Sequence, residues 1–203
     1  MISVTGGAIN TDDLKHLLKS TYEKDKKDIG DYKIDKQLSG TRAKVYTNKE
    51  TGKNVIAIRG TQGIHDMITD AHLFLGDKST KRFKHAKKVY DRVVNKYGKD
   101  NLILAGHLLG SSLAEEEGKE NKDEIYTLNK PVTPVDILKG NRVPKNQTDV
   151  RTSNDLISVL RPLQKGKKAI TIKSDSLNLL DEHKTDKLDK LNGVMIGGRL
   201  HQI

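Results

Sequence analysis

Asn101-Leu102-Ile103-Leu104-Ala105 is a short apolar run that passes through Gly106-His107-Leu108-Leu109-Gly110 into Ser111-Ser112-Leu113-Ala114. The run is typical of a strand buried on both faces. The residues after Gly110 read as a helix ending near Gly118. Between strand and helix, glycines two positions either side of residue 108 let the two backbones approach across a sharp turn. This is the frame of a nucleophile elbow, G-x-S-x-G, in which the central residue sits strained at the apex between strand and helix. The apex position holds Leu108, which has no oxygen to attack with. The same frame also forms plain tight turns in open α/β sheets, so the frame alone leaves both readings open.

The flanking pattern predicts the sheet around it. Ala43–Thr47 and Asn54–Arg59 read as two strands joined through Asn48–Lys53, with Gly52 at the bend. Residues 79–97 read as a helix, with Phe83, Ala86, Val89-Tyr90, Val93-Val94 and Tyr97 at helical spacing and Gly98 closing it. Glu124–Asn129 is a further strand stopped by Pro131, and Lys168–Lys173 a late one. Strand, helix, strand, helix, strand in succession points to a parallel α/β unit. Upstream, Thr11-Asp12-Asp13 caps an amphipathic helix through Leu14, Leu17, Leu18 and Tyr22 that runs into residues 23–28. Residues 130–148 read as a loop, 182–192 as a helix and the tail from Gly193 as ambiguous. No repeat or linker divides the chain, so one domain over residues 1–203 is expected.

Composition narrows the function classes. The 203 residues include 52 Val, Ile, Leu and Phe, enough for a thin core, with two Phe and no Trp. No run of about 18 apolar residues is present to span a membrane as a helix. The first residues lack the pattern of a secretory signal, which leaves a cytoplasmic or virion location as the default. The absence of Cys excludes disulfides, Cys-ligated zinc and thiol catalysis. The net charge is +10, carried by 29 Lys against 8 Arg. Lysine supplies mobile point charge rather than bidentate reading. The surplus therefore suits nonspecific contact with an acidic protein, a lipid surface or nucleic acid, and the Lys-over-Arg bias fits an AT-rich genome.

Several ordered motifs over residues 40–190 resemble the class 3 lipase family, the α/β-hydrolases that include fungal triglyceride lipases. Val55-Ile56-Ala57-Ile58-Arg59-Gly60-Thr61 is similar to that family's strand ending in R-G-T. Asp66 and Asp70 match its D-W-x-x-D segment, with Met67 in place of Trp. Leu102–Ala114 is similar to its apolar strand and G-H-S-L-G-G elbow, and Tyr126–Pro131 to its Y-T-F-x-x-P strand. Arg151–Ser158 resembles the segment bearing the triad acid, and Leu180-Asp181-Glu182-His183 the one bearing the triad histidine. The resemblance implies a small α/β-hydrolase-like fold with a mainly parallel central sheet and flanking helices. It implies Asp155 as the acid orienting His183 as general base. Thr61 and the backbone N–H of Leu109 would form the oxyanion hole, and Leu108 would stand where the nucleophile belongs. Ser111 replaces the second closing glycine.

Three functions stay open. A catalytically inactive lipase-like protein would act as a binding or structural module, such as a minor component of a virion or other multi-protein assembly. A serine esterase or lipase on lipid esters would be either seen in an inactivated Leu108 form or working through a stand-in, Ser112 or Ser111. An α/β domain that binds polyanions without hydrolase ancestry is the third. The extra departure at Ser111 favours natural drift over deliberate replacement of the nucleophile. His107 is expected as a packing residue. Glu115-Glu116-Glu117 are expected to cap the exposed end of the elbow helix, and Lys165–Lys168 to be a solvated loop. His65, Asp70 and His72 lack a recognised zinc spacing, so no metal and no cofactor is expected.

Overall fold

The computed structural model describes residues 9–60, 80–131, 144–152, 169–172, 193–196 and 199–202. Met1–Lys173 forms one compact unit and Ser174–Ile203 a second. In the first, α1 (Thr11–Ser20) leads to strands β1 (Tyr32–Ile34), β2 (Ala43–Asn48) and β3 (Asn54–Ile58). Next come α2 (Lys81–Tyr97), β4 (Leu102–His107), α3 (Leu109–Asn121), β5 (Glu124–Leu128), β6 (Gln147–Thr152) and β7 (Ala169–Ile172). The seven strands form one sheet in chain order. β1, β2 and β3 pair antiparallel, and β3 through β7 pair parallel. The second unit is described by an antiparallel pair, β8 (Gly193–Ile196) and β9 (Arg199–Gln202), within the tail that the pattern left ambiguous. The fold is α/β with a mainly parallel central sheet and flanking helices, as the sequence predicts.

Side-chain alternation assigns the two faces of the sheet. Val45, Ile56, Ile58, Leu102 and Leu104 pack with Phe83, Ala86, Val89, Tyr90 and Val93 of α2 and with Leu113 and Ala114 of α3. Each buried Val, Leu, Ile or Phe among them contributes about 1.5–3 kcal/mol by leaving water. The opposite face takes α1 through its buried Leu14, Leu17 and Leu18. On that side Tyr46 shares a 2.7 Å hydrogen bond with Ser20, and buried Lys44 donates Nζ to the carbonyls of Ser20 and Asp25, each at 2.5 Å. A cation at a helix C-terminus satisfies orphan carbonyls and favours the helix dipole. Burial pulls the Lys44 ammonium below its usual range.

The structure corrects three expectations. α1 stops at Ser20 and does not run into residues 23–28. The hydroxyls of Ser20 and Thr21 bond the carbonyls of Leu17 and Leu18 at 2.6 Å, which closes the last turn, and Lys44 holds the end. The loop expected through residue 148 also gives way, because β6 begins at Gln147. Its Gln147, Asp149 and Arg151 are buried although polar. Thr127 donates to Asp149 at 2.5 Å, and Gln147 Nε2 donates to Asp149 and Glu115 at 2.8 Å each. Lys130 closes the group with a 2.6 Å ion pair to Glu115. Glu115 therefore ties α3 to β6 instead of capping an exposed helix end.

Asp35 fastens the far end of α2 to the β1–β2 connection. Its Oδ1 accepts the N–H groups of Gln37 and Leu38 at 3.0 Å, and its Oδ2 accepts Lys96 at 2.5 Å and Tyr97 at 2.7 Å. Burial alone would push this carboxyl up, but the bonds from Lys96, Tyr97 and Leu38 outweigh it and hold the pKa down at about 2. The folded value lies below the unfolded one of 3.8, so the stabilisation is present above about pH 4 and is lost as pH falls towards 2. Asp35→Asn keeps an amide oxygen for the two N–H groups and removes the charge. It is expected to cost about 1–2 kcal/mol in urea unfolding at pH 7, a loss that all but disappears at pH 2.

Candidate active-site elbow

β4 ends at His107 and α3 begins at Leu109, so a single residue makes the turn between them. Leu108 takes φ 50° and ψ −125°, a backbone region that costs an L-residue about 1–3 kcal/mol and persists only where its surroundings over-determine it. Its N–H donates to the Leu128 carbonyl at 3.1 Å, and its own carbonyl accepts the Ser111 N–H at 2.9 Å. Glycines supply the remaining constraint. A Cβ on Gly106 would collide with the Gly110 carbonyl and lie 2.5 Å from the Ser111 Cα. A Cβ on Gly110 would collide with the Ile58 carbonyl at the end of β3. A Cβ on Gly60 would lie 2.5 Å from the His107 carbonyl and 2.9 Å from the Leu108 Cβ. The turn thus sits where β3, β4 and α3 meet with no side chain between them. Leu108 itself is 7 % exposed.

Beneath the turn lies a polar contact that pattern reading misses. Tyr22, just beyond α1, brings its hydroxyl to 2.7 Å from His107 Nδ1, and the Gly60 N–H donates to the same oxygen at 3.1 Å. When the phenol donates to Nδ1, the imidazole proton sits on Nε2 and the phenol oxygen accepts the Gly60 N–H. The rings meet edge to face with centroids 5.6 Å apart, and the Arg59 guanidinium lies 5.0 Å over the Tyr22 ring. Arg82, in the first turn of α2, donates to the Arg59 carbonyl at 2.9 Å. Burial pushes Tyr22 up to about 12 and His107 down to about 4. In the sequence Tyr22 is only one apolar position on a helix face; nothing local to it signals a bridge to residues 60 and 107.

The other candidates divide between described and undescribed residues. Leu109 opens α3, where the first N–H groups of a helix have no intrahelical partner. Ser111 is fully buried and its hydroxyl is spent on the Gly106 carbonyl at 2.9 Å. The Ser112 hydroxyl is shielded from solvent and makes no hydrogen bond among the described residues. Thr61, Asp155 and His183 lie outside the described residues, as do His65, Asp66, Asp70, His72 and Lys165–Lys168. Among the described residues no group of three or more His, Asp or Glu is placed to hold a metal ion.

A parallel sheet that turns through a glycine-flanked elbow into a buried helix has the strand–turn–helix arrangement of the α/β-hydrolase fold. The model of the Tle-like phospholipase domain, a phospholipase-like family, matches residues 7–153, and the chain belongs to that family. Asp155 and His183 fall beyond the matched residues. A GDSL esterase/lipase of Arabidopsis thaliana is 32 % identical over 128 residues, 57 % of this chain and 36 % of that protein. The chain therefore spans about a third of the length of that curated relative. Among solved structures, a fungal lipase in complex with an inhibitor superposes with a TM-score of 0.51 at 17 % identity, covering 74 % of this chain and 73 % of that one. The Rhizomucor miehei lipase in complex with its propeptide gives 0.51 at 17 % identity, with 74 % and 62 % covered. At that identity the likeness is one of fold, and it agrees with the resemblance carried by the motifs.

The elbow predicts two outcomes. Gly106→Ala has no room for its methyl group and is expected to lower stability by about 3 kcal/mol or more, measured by chemical unfolding. The folded His107 pKa of about 4 lies below its ordinary 6.5, so its contribution to stability is complete above 6.5 and is lost as pH falls through 4. In an NMR titration its ring signals should stay fixed from about pH 8 to pH 5.5, whereas an exposed histidine moves through its midpoint there.

Proposed function

We propose that this chain is a lipase-lineage module whose hydrolytic chemistry is lost at Leu108 and whose remaining role is binding. The observation that carries the reading is the apex of the elbow. The strained backbone, the glycine contacts and the helix N-terminus are those of a nucleophile elbow, and the side chain at the apex is a buried hydrocarbon. In such a fold the apex residue attacks the acyl carbon. Asp155 would orient His183, His183 would shuttle the proton, and Thr61 with the Leu109 N–H would receive the oxyanion. Without an apex oxygen the first bond cannot form. Loss of a triad nucleophile lowers kcat by about a million-fold. On this reading the ancestral substrates were lipid carboxylic esters.

A second reading keeps activity through Ser112, favoured by one observation: its hydroxyl is buried and uncommitted, while that of Ser111 is already donated. Ser112 lies one turn into α3, beyond the apex, so it lacks the presented position that the turn gives residue 108.

One assay separates them. The unaltered chain and Leu108→Ser are compared on short- and long-chain esters. The expected result is no turnover from the unaltered chain and measurable turnover from the variant. Turnover by the unaltered chain, abolished by Ser112→Ala, would replace the first reading with the second. A folded but inert Leu108→Ser would remove the roles assigned to Asp155 and His183.

A further inference from the structure

Helix α2 buries Phe83, Ala86, Val89, Tyr90 and Val93 and turns Lys81, Lys84, Lys88 and Arg92 to solvent. These four recur at spacings of three, four and four, so they form one straight stripe over three turns, about 16 Å long. Competing charge on the helix is engaged elsewhere. Asp91 pairs with Lys87 at 3.2 Å, Lys96 is held by Asp35, and Arg92 gives one nitrogen to the Gln37 carbonyl at 3.3 Å. Lys81, Lys84 and Lys88 make no ion pair among the described residues. A shallow open depression lies along the same face, bordered by Lys84, Lys87, Lys88, Asp91, Arg92 and Asn95, with the charge of Asp91 offset by its pairing to Lys87.

We propose that this stripe docks the protein on a bilayer bearing anionic phospholipid headgroups. Three lysines on flexible stems offer point charges to a plane of mobile phosphates, the geometry in which polybasic segments meet acidic membranes. A single-stranded nucleic acid would need aromatic side chains between the cations for its bases to stack on. The stripe presents none, and the hydroxyl of Tyr97, the exposed large aromatic beyond it, is bonded to Asp35. The stripe carries three lysines to one arginine, and Arg92 gives part of its guanidinium to the Gln37 carbonyl, so it offers mobile point charge more than the bidentate forks suited to ordered phosphates. The choice of a bilayer rests on reading the module as lipid-directed, in keeping with its phospholipase-like family. It does not depend on whether Leu108 abolishes turnover.

The test is sedimentation of the full chain with vesicles of phosphatidylcholine alone or with about one third phosphatidylglycerol, in about 0.1 M salt. Binding to the anionic vesicles only is expected. Each lysine should contribute about five-fold, so Lys81→Gln with Lys84→Gln and Lys88→Gln lowers partitioning about a hundred-fold. Lys24→Gln with Lys27→Gln and Lys33→Gln removes the same charge from exposed positions outside α2 and is expected to change binding by no more than about three-fold. All six positions are exposed, and the melting temperature checks that each variant is folded. Lys84→Glu alone, a charge reversal at the middle of the stripe, repeats the comparison with one substitution. Equal losses in the two triple variants, equal binding to neutral vesicles, or binding to a DNA duplex with vesicles ignored would each overturn the proposal. Because binding is read without turnover, an active unaltered chain would end the inactive reading and leave this one standing.

Discussion

Everything near the apex of the sheet depends on three backbones meeting without side chains between them. Gly60 lies just past β3, Gly106 near the end of β4 and Gly110 in the first turn of α3, and each faces a carbonyl or Cα of a neighbour at a distance that excludes a methyl group. That contact fixes where β4 must stop and α3 must start. It leaves residue 108 no alternative to a positive φ, whatever side chain it carries. Among the described residues the strain is held by packing and by the Leu128 and Ser111 hydrogen bonds. This is why the elbow persists with a leucine at its apex.

Around it, polar groups do what a larger apolar core would do in a richer sequence. Tyr22 joins α1 to both strand ends through one hydroxyl, and Asp35 joins the β1–β2 connection to the end of α2. The Glu115, Lys130, Gln147, Asp149 and Thr127 cluster seats β6 against α3 and β5. Partners in such clusters are costly to remove singly, because each leaves a buried group unsatisfied. A chain with two Phe and no Trp thus relies on specific bonds at the joints between its elements.

The middle of the fold was legible because its signals are strong and local. β3, α2, β4, α3 and β5 carry apolar runs or helical periodicity and form where expected, with α3 running on from Gly118 to Asn121. Val150 signals a short strand–loop passage, but the start of β6 escaped because Gln147 and Asp149 look like loop residues until Glu115 and Thr127 are beside them. The end of α1 escaped because its stop is made by hydroxyl groups and by Lys44, which is 24 residues from Ser20. At the candidate site, the glycines and the apex were readable from spacing alone, whereas the role of Tyr22 exists only in three dimensions. The expected roles of Thr61, Asp155 and His183 rest on the motif resemblance, since these residues lie outside those described.

The strand order carries one more consequence. Every hydrogen-bonded neighbour in the seven-stranded sheet is also the next strand along the chain. As the polypeptide leaves the ribosome, each new strand finds its partner already made and need not wait for one still to be synthesised. The strands can therefore pair in one direction by accretion, while the bonds of long sequence separation, which slow folding, such as Tyr22 to His107 and Lys96 to Asp35, close once the elements that carry them are in place.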